Sequence, residues 1–473
     1  MRILLIAANV AKTPYPVYPL GISMIAAALR NDGHDVVMFD FLQHDMSIAT
    51  LTAAIRETSP ELIGISLRNI DNVNLLNEQR YVDAVKNIVA AARKETDARI
   101  IIGGSGFSVM PGPILEEVGA DYGIVGEGER LICDFARDAA QGVYPEERIL
   151  NAAPDLTGED IPSAYYDPAI LEFYLQAGNM AGVQTKRGCP HRCAYCTYPV
   201  LEGHAIRPRS PARVADDIES LVNELNTGYI FFTDSVFNDD AGHFRAIVEE
   251  MARRGIDTPW TAFFKPTGLD DDIVAAMKKT GLNAAEIGSD APCDTTLRGL
   301  RKDFLFDDIV ACNDLFRKHG IATAHYFMFG CPGETRDTVF ESIENIKKLE
   351  KAAVFIFMGV RILPGTPLAD VAIEQGVIET GRDLLEPVYY ISPDIDRDWL
   401  ERTLTDAFAG IRHCVFPPDA LESSLSFLHK MGYSGSMFDM LANPRSRGRS
   451  RSGEDTQPCR DTGRADPPGR PQE

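Results

Sequence analysis

Three cysteines, Cys189, Cys193 and Cys196, stand close together with the spacing Cys-x3-Cys-x2-Cys. Three thiolates on one short loop can bind three irons of a cubane iron–sulfur cluster, which leaves the fourth iron open to another ligand. A structural zinc site needs a fourth closing ligand, and the nearest candidate, His191, lies inside the same tight loop. The spacing therefore favours a [4Fe–4S] cluster over a zinc ion.

The remaining cysteines are scattered along the chain, and single cysteines of this kind are usually small buried hydrophobic residues. The total of 9 is odd, and the short apolar start is typical of a strand and not of a signal peptide, so a disulfide framework is disfavoured. No run of residues approaches the roughly 18 apolar residues of a membrane span. We therefore expect a cytoplasmic protein.

The charge balance limits the kinds of partner. The 47 basic and 69 acidic residues give a formal net charge of −22 over 473 residues. A protein that grips a nucleic-acid backbone needs a basic surface, so we expect no nucleic-acid partner. Residues 443–473 are polar, with an Arg- and Ser-rich start and very few apolar side chains. This composition predicts a disordered basic and polar tail.

The elements that must position the cysteines form two alternating series of strands and helices. In residues 1–140 the strands separated by helical patterns predict a doubly wound, Rossmann-like parallel sheet. Ligands on such sheets bind at the carboxyl ends of the strands. The predicted strands are 3–8, 35–40, 62–66, 99–104 and 122–125.

The second series covers residues 181–390, after a proline-containing connector over residues 141–180. Six strand–helix units predict a partial (β/α)6 barrel of the TIM type, and the cysteines directly follow its first strand. Residues 391–442 are predicted to form a helical C-terminal cap. The predicted strands are 182–185, 229–232, 261–264, 284–288, 324–329 and 355–362.

The cysteine spacing, the aromatic Tyr195 before the third cysteine, and the position after a first barrel strand together resemble the radical S-adenosylmethionine (SAM) superfamily. The resemblance implies that the open iron chelates the amino and carboxylate groups of SAM. It also implies that one electron cleaves SAM to a 5′-deoxyadenosyl radical, which takes hydrogen from an unactivated carbon. That electron requires an external donor of the flavodoxin or ferredoxin type.

The resemblance further implies that the ends of the barrel strands hold SAM. Asp234 ends the second strand and is expected to accept the ammonium of SAM, with a helix N-cap as the alternative role. The turn that begins at Gly330 is expected near the adenosine. A motif beginning at Arg361 is typical of the family but has no assigned chemistry. The expected SAM contacts are Tyr195, Asp234, Glu286, Ser289, Gly330 and Glu334. No catalytic side chain is identified.

Two glycine-rich turns follow the fourth and fifth strands of the N-terminal sheet, where glycine lets the backbone approach a ligand closely. Turns of this kind ahead of the cysteines resemble the cobalamin-binding (class B) radical SAM enzymes over about residues 1–440. That resemblance implies a B12-binding type of sheet, with the nucleotide tail of cobalamin in the turns. The expected cobalamin contacts are Leu67, Arg68, Asn69, Gly103, Gly104, Ser105, Gly126, Glu127 and Gly128.

The Asp-x-His-x-x-Gly signature of many cobalamin proteins is missing, because His44 lies at the wrong distance from Asp40 and no suitable glycine follows it. In the class B enzymes the loop after the third strand, here 67–69, would cover the lower face of cobalt. The alternative is a sheet that does not bind cobalamin.

The leading functional prediction is a cobalamin-dependent radical SAM C-methyltransferase that acts on an unactivated carbon of a lipid or secondary metabolite. The first alternative is a class B cyclase or oxidoreductase that transfers no methyl group. The second is a cobalamin or redox sensor without turnover. A methylthiotransferase is disfavoured, because its N-terminal cluster cysteines are missing here: the first cysteine is Cys133.

Overall fold

The computed structural model of the chain describes residues 1–12, 16–152, 156–420, 435 and 438–442. The expected tail at 443–473 lies outside these residues, as does much of the second half of the expected helical cap. No helix in the described part of the chain is both long and apolar enough to cross a membrane.

The N-terminal sheet has six parallel strands in the order β2-β1-β3-β4-β5-β6, which confirms the predicted doubly wound class. The strands are β1 Arg2–Ala7, β2 Asp35–Asp40, β3 Leu62–Ser66, β4 Arg99–Gly103, β5 Tyr122–Val125 and β6 Ile149–Asn151. The helices are α1 Leu20–Asn31, α2 Ile48–Thr58, α3 Val82–Glu95, α4 Ser105–Val109, α5 Pro111–Val118 and α6 Glu129–Ala139. Strand β6 lies in the stretch predicted as a connector.

Alternation along β1 explains why helices cover both faces of this sheet. Ile3 and Leu5 belong to a core shared with α1 and α6, whereas Leu4 and Ile6 belong to a core shared with α2 and α3. Successive side chains of a strand point to opposite faces, so a continuous apolar run requires cover on both sides.

The second sheet has seven parallel strands in the order β17-β14-β13-β12-β11-β10-β7, flanked by two short antiparallel pairs, β8 with β9 and β15 with β16. The strands are β7 Ala181–Val183, β8 Lys186–Arg187, β9 Arg207–Pro208, β10 Ile230–Phe232, β11 Trp260–Phe264, β12 Leu282–Asp290, β13 Ala322–Phe329, β14 Ala352–Met358, β15 Val360–Arg361, β16 Tyr389–Tyr390 and β17 Cys414–Val415. The helices are α7 Pro168–Gly178, α8 Tyr198–Glu202, α9 Pro211–Asn223, α10 His243–Arg254, α11 Asp271–Lys279, α12 Asp294–Gly299, α13 Phe306–Lys318, α14 Arg336–Ile346, α15 Pro367–Glu374, α16 Arg397–Phe408 and α17 Phe438–Ala442.

The larger sheet corresponds to the predicted partial barrel with one addition. Strands β7, β10, β11, β12, β13 and β14 are the six expected ones, and strand β17 pairs with β14 in a stretch predicted to be helical. In a parallel sheet the carboxyl ends of the strands lie at one edge, so the loops after them can build a shared site.

A buried carboxylate lies at the end of β2. Asp40 is fully buried and accepts hydrogen bonds from the backbone N–H of Gln43 at 2.7 Å and from the hydroxyl of Tyr174 at 2.9 Å. Burial raises the pKa of Asp40 to about 6, because the charged form loses its hydration. The folded chain therefore holds the proton on Asp40 to a higher pH than the unfolded chain does.

We expect Asp40→Asn to stabilise the protein at pH 7 and above. The pKa of Asp40 is higher in the folded chain than in the unfolded chain. Its stabilising contribution is therefore complete below about pH 4 and is lost as the pH rises through about 6. The asparagine side chain does not ionise, so Asp40→Asn avoids this loss of folding free energy, which amounts to up to about 3 kcal/mol. Urea unfolding at pH 5 and pH 8 measures the difference, and an equal effect of the substitution at both pH values would contradict the assignment.

Candidate active site

The cysteine loop leaves strand β8 and returns at strand β9. Gly188 has φ +92°, and a Cβ at this position would lie 2.0 Å from the carbonyl oxygen of Ala205, so only glycine fits the turn. The backbone N–H of Cys189 donates to the carbonyl of Gly203 at 3.1 Å, and that of Gly188 donates to Glu202 Oε2 at 3.0 Å. The two ends of the loop are thereby held together.

The three cysteines carry free thiols, with Cys189 buried and Cys193 and Cys196 partly exposed. Burial raises the pKa of Cys193 and brings that of Cys196 to about 12, so both stay protonated at neutral pH until a metal draws the proton off. Among the described residues no three His, Cys, Asp or Glu side chains converge on one metal-ion position. A cubane binds each thiolate through a different iron, and this donor set fits such a cluster.

Asp234 supports the strand that leads into this loop. Its carboxylate accepts from the backbone N–H of Thr185 at 2.7 Å, from the Thr185 hydroxyl at 2.6 Å, and from the N–H and Nζ of Lys186 at 3.2 and 3.3 Å. Both Asp234 and Lys186 are 1% exposed. These hydrogen bonds occupy both oxygens of the carboxylate. The sequence had instead predicted that the carboxylate would accept the ammonium of SAM.

Two expected SAM contacts on β12 face different ways. Glu286 Oε2 accepts from the hydroxyl of Tyr326 on β13 at 2.7 Å. Ser289 Oγ lies 2.7 Å from Nδ1 of His325, whose Nε2 in turn lies 3.3 Å from Asn313 Oδ1 on helix α13. Ser289 is therefore part of a buried network on the helix side of the sheet.

The turn after β13 is closed by its own glutamate. Glu334 accepts from the backbone N–H groups of Gly330 and Cys331, the latter at 3.1 Å, and burial raises its pKa to about 8. Gly330 has φ +89°, which a side chain adopts only with strain. Tyr195 packs against the core of the barrel sheet. Tyr195 therefore anchors the cysteine loop to the barrel core, and Glu334 fixes the turn after β13.

A cavity of about 800 Å³ lies between the two sheets. The expected cobalamin contacts that line it are Arg68, Asn69, Gly103, Gly104, Ser105, Gly126, Glu127 and Gly128. Leu67 does not line the cavity, because its side chain is buried in the N-terminal core. Its backbone holds the turn, donating to the carbonyl of Gly103 at 2.9 Å and accepting from the N–H of Gly106 at 3.0 Å.

The glycine-rich edge of this cavity is held in place by hydrogen bonds. Ser108 Oγ donates to the carbonyl of Gly104 at 2.9 Å and accepts from the N–H of Gly126 at 3.0 Å, so it joins the two turns. Gly104 has φ +99°, and a Cβ there would lie 2.5 Å from the carbonyl oxygen of Leu67. At Gly103 an added Cβ would make an ordinary van der Waals contact, 3.5 Å from the carbonyl oxygen of Ile124, so this position tolerates one. The edge forms a cradle that side chains would fill.

The opposite wall of the cavity is aromatic, and sequence reasoning missed it. The rings are Phe231, Phe263, Tyr326, Phe355, Phe357 and Phe438. Phe231 meets Phe263 edge-to-face with ring centroids 5.4 Å apart, and Tyr326 stacks on Phe355 at 5.3 Å. The available signal was the spacing of Phe355 and Phe357, since residues two apart on a strand share a face.

Charged side chains join the glycine-rich turn after β5 to the arms of the cysteine loop, and these also went unpredicted. Glu127 accepts from Arg207 at 2.6 Å and lies 3.8 Å from Arg187, and Arg187 also donates to Glu129 at 2.5 Å. The carboxylate of Glu127 is thus neutralised by two guanidinium groups, those of Arg187 and Arg207. The two glutamates and two arginines form one buried cluster between the two sheets.

The B12-binding domain family matches residues 6–136, and the radical SAM superfamily matches residues 183–346. The chain belongs to the cobalamin-binding radical SAM enzymes. The three cofactors of this cobalamin-binding radical SAM enzyme are a [4Fe–4S] cluster, SAM and cobalamin, as predicted. The first match covers the sheet with the glycine-rich edge, and the second covers the cysteine loop.

Several characterised proteins resemble this cobalamin-binding radical SAM enzyme. The tryptophan 2-C-methyltransferase of Streptomyces laurentii is 25% identical over 76% of this chain and 73% of its own. The anaerobic magnesium-protoporphyrin IX monomethyl ester cyclase of Rubrivivax gelatinosus is 24% identical over 68% of this chain and 61% of its own. The fold matches TsrM from Kitasatospora setae, solved with cobalamin and a [4Fe–4S] cluster bound, with TM-score 0.82 and 23% identity over 93% of this chain and 97% of that one.

Proposed function

We propose that this cobalamin-binding radical SAM enzyme is a C-methyltransferase for an unactivated carbon of a small molecule. One observation carries the proposal: a single cavity extends from the glycine-rich edge to residues directly after the third cysteine, Cys196. Thr197, Tyr198 and Leu201 line it together with Gly103 and Gly126. A substrate in this cavity lies within reach of both cofactor positions. Methyl transfer from one cofactor to a carbon activated by the other needs that proximity.

Cys189, Cys193 and Cys196 would hold the cluster, and the glycine-rich edge with Arg68 and Asn69 would hold cobalamin. When bound, the cluster with SAM supplies hydrogen abstraction and cobalamin supplies the methyl group. Asp234 fixes the entry strand of the cysteine loop through Thr185 and Lys186. The aromatic wall excludes water from the cavity, which protects a reactive carbon centre from solvent.

The substrate class follows from the lining of the cavity. Six aromatic rings on one wall favour a substrate with a large apolar surface. Such a surface is common to lipids and to many secondary metabolites, which are the classes expected from the sequence. The Tyr326 hydroxyl, bonded to Glu286 at 2.7 Å, places a polar group in that wall.

Incubation with deuteromethyl-SAM under anaerobic conditions tests the reaction type. A methyltransferase yields a product with a new CD3 group, which keeps all three deuterium atoms and is joined to the substrate by a carbon–carbon bond. The alternative reaction, ring closure or oxidation without methyl transfer, is favoured by the cyclase relative and yields a product of changed mass without deuterium. Neither product, with cofactors loaded, would favour a sensor.

The reaction also requires an electron donor, and we propose a flavodoxin- or ferredoxin-type protein for this role. We place the protein in the cytoplasm. Support comes from the eight cysteines in the described part of the chain, all of which are free thiols, as in reducing compartments. The acidic net charge of −22 supports a small-molecule substrate over nucleic acid.

We expect Gly103→Val to weaken cobalamin binding to the full-length protein at least about tenfold, or about 1.4 kcal/mol. The valine side chain would project from the cavity wall that Gly103 lines, where the nucleotide tail would lie. Its Cβ makes only an ordinary contact with the Ile124 carbonyl oxygen, and the ordinary φ of Gly103 avoids backbone strain. Gly104→Val is a poorer test, because it clashes with Leu67 in the apoprotein. Gly112→Val, on helix α5 with no neighbour within 4 Å of the added Cβ, is the matched control. Equal affinity in Gly103→Val and Gly112→Val would contradict the cobalamin site.

We expect His44→Ala to leave the absorption spectrum of bound cobalamin unchanged. The His44 ring stacks on Phe39 with centroids 4.6 Å apart and is not among the residues that line the cavity. A change in the cobalt bands of His44→Ala would show that this histidine ligates the metal. That result would contradict the assignment of the lower face to the loop after β3.

A further inference from the structure

A lysine that sequence reasoning did not select reaches the cysteine loop from the segment after helix α12. Lys302 follows helix α12, and its Nζ donates to Cys193 Sγ at 3.3 Å. The side chain is 9% exposed, so the ammonium is largely withdrawn from water. Asp290, at the end of β12, contacts the same ammonium as an ion pair. The aromatic rings of Tyr195 and Phe304 lie 6.0 and 5.4 Å from Nζ.

Asp290 is held in a backbone conformation that a side chain rarely adopts. Its φ is +58°, and the pairing register between β12 and β13 shifts between Ile287 and Asp290. A non-glycine residue in this region costs free energy and persists only where the surroundings impose it. In this strained conformation the carboxylate of Asp290 faces Lys302. The ion pair therefore lies beside Cys193 at the cost of backbone strain.

We propose that Lys302, positioned by Asp290, sets the reduction potential of the cluster through its contact with Cys193. The inference rests on the proposed function, in which Cys193 is a cluster ligand. A cation that donates a hydrogen bond to a ligating sulfur stabilises the more negative, reduced cluster, because hydrogen bonds to the sulfurs and net charge both set the potential. The low exposure of Lys302 preserves this interaction from screening by water and salt.

Asp290 has the opposite effect on the reduction potential of the cluster. Its carboxylate orients the lysine but also adds a negative charge near the cluster. Removal of the lysine charge leaves Asp290 unbalanced, so the cluster becomes harder to reduce for two reasons. Removal of the carboxylate charge leaves the ammonium unopposed, so the cluster becomes easier to reduce.

The test is an EPR-monitored redox titration of the reconstituted full-length protein without substrate. We expect Lys302→Met to lower the ratio of reduced to oxidised cluster at a fixed solution potential at least tenfold, equal to 59 mV for a one-electron couple. Lys302→Arg retains the cation and restores most of the potential. Asp290→Asn shifts the potential in the opposite direction. Lys318→Met, which removes an exposed lysine that pairs with Asp271, controls for net charge.

The outcomes separate this inference from the proposed function. If the wild-type protein takes up no iron–sulfur cluster, the proposed function fails. If the wild type loads its cluster but Lys302→Met and Asp290→Asn both match Lys318→Met, only the role of Lys302 is overturned. If Lys302→Met takes up too little iron to titrate, the upward shift in Asp290→Asn decides the question.

Discussion

We expect Cys189→Ala, Cys193→Ala and Cys196→Ala each to lose the iron–sulfur chromophore, with the iron content falling from about four per chain toward zero. Each thiolate would bind a different iron, so a cluster deprived of one ligand would be held less completely and become exposed to solvent. SAM cleavage and methyl transfer are abolished with it. Iron analysis, the visible spectrum and product formation after anaerobic reconstitution measure these losses.

Cys312→Ala is the matched control for this series. Cys312 is a free thiol that is 3% exposed and lies on helix α13 in the barrel core, so its loss removes a small apolar group but no ligand. The control retains full iron content. Stoichiometric zinc in the wild type without an iron chromophore would contradict the cluster assignment, as would an equal loss of iron in Cys312→Ala.

We expect Arg361→Met to destabilise the fold by about 3–5 kcal/mol. The guanidinium donates to Asp71 Oδ2 at 2.8 Å and to the carbonyls of Ile362 and Leu384 at 2.7 and 2.8 Å. The side chains of Arg361 and Asp71 are 4% and 1% exposed, so the substitution leaves a carboxylate buried without its cation. Urea unfolding of the apoprotein at pH 7 measures the loss.

The matched control for Arg361→Met is Arg56→Met. Arg56 also contacts a carboxylate, Glu95, but lies on the surface, so the same substitution has a much smaller effect. The double variant Arg361→Met with Asp71→Asn recovers part of the loss, because no buried charge then remains. Equal destabilisation by Arg361→Met and Arg56→Met would contradict this role of the pair.

This ion pair also gives the motif beginning at Arg361 a role that its sequence did not indicate. Asp71 belongs to the loop after β3, whose Arg68 and Asn69 line the cavity, and Arg361 lies at the end of the barrel sheet. A contact between residues 290 positions apart depends on how the two sheets pack. The residue pattern around Arg361 therefore could not predict this contact.

The strands of both sheets were predictable because most are buried apolar runs, as in β1 and β14. Strands β6 and β17 have three and two residues, too few for any period to be visible. Pairing with β5 and β14, which lie elsewhere in the sequence, decides their conformation.

Site residues divide in the same way. The cysteine spacing is local and therefore visible in the sequence, and so are the glycines of the two turns. Lys302 and Asp234 act through partners that are 109 and 49 residues away, so their identity alone could not disclose their contacts. Ser289 is an exception, since it lies three residues from Glu286. Alternation along a strand already places two such side chains on opposite faces.

The buried cluster of Glu127, Glu129, Arg187 and Arg207 has a consequence for how the protein matures. Arg187 stands two residues before Cys189, whereas Glu127 lies in the glycine-rich turn after β5 and Glu129 begins helix α6 directly after it. With the cluster held by the cysteines and cobalamin at the glycine-rich edge, as proposed, loading of both cofactors would act on one shared set of ion pairs. By thermodynamic linkage, whichever cofactor arrives first changes the affinity for the second by the same factor as in the reverse order. A shortage of either cofactor would then change how firmly the protein holds the other.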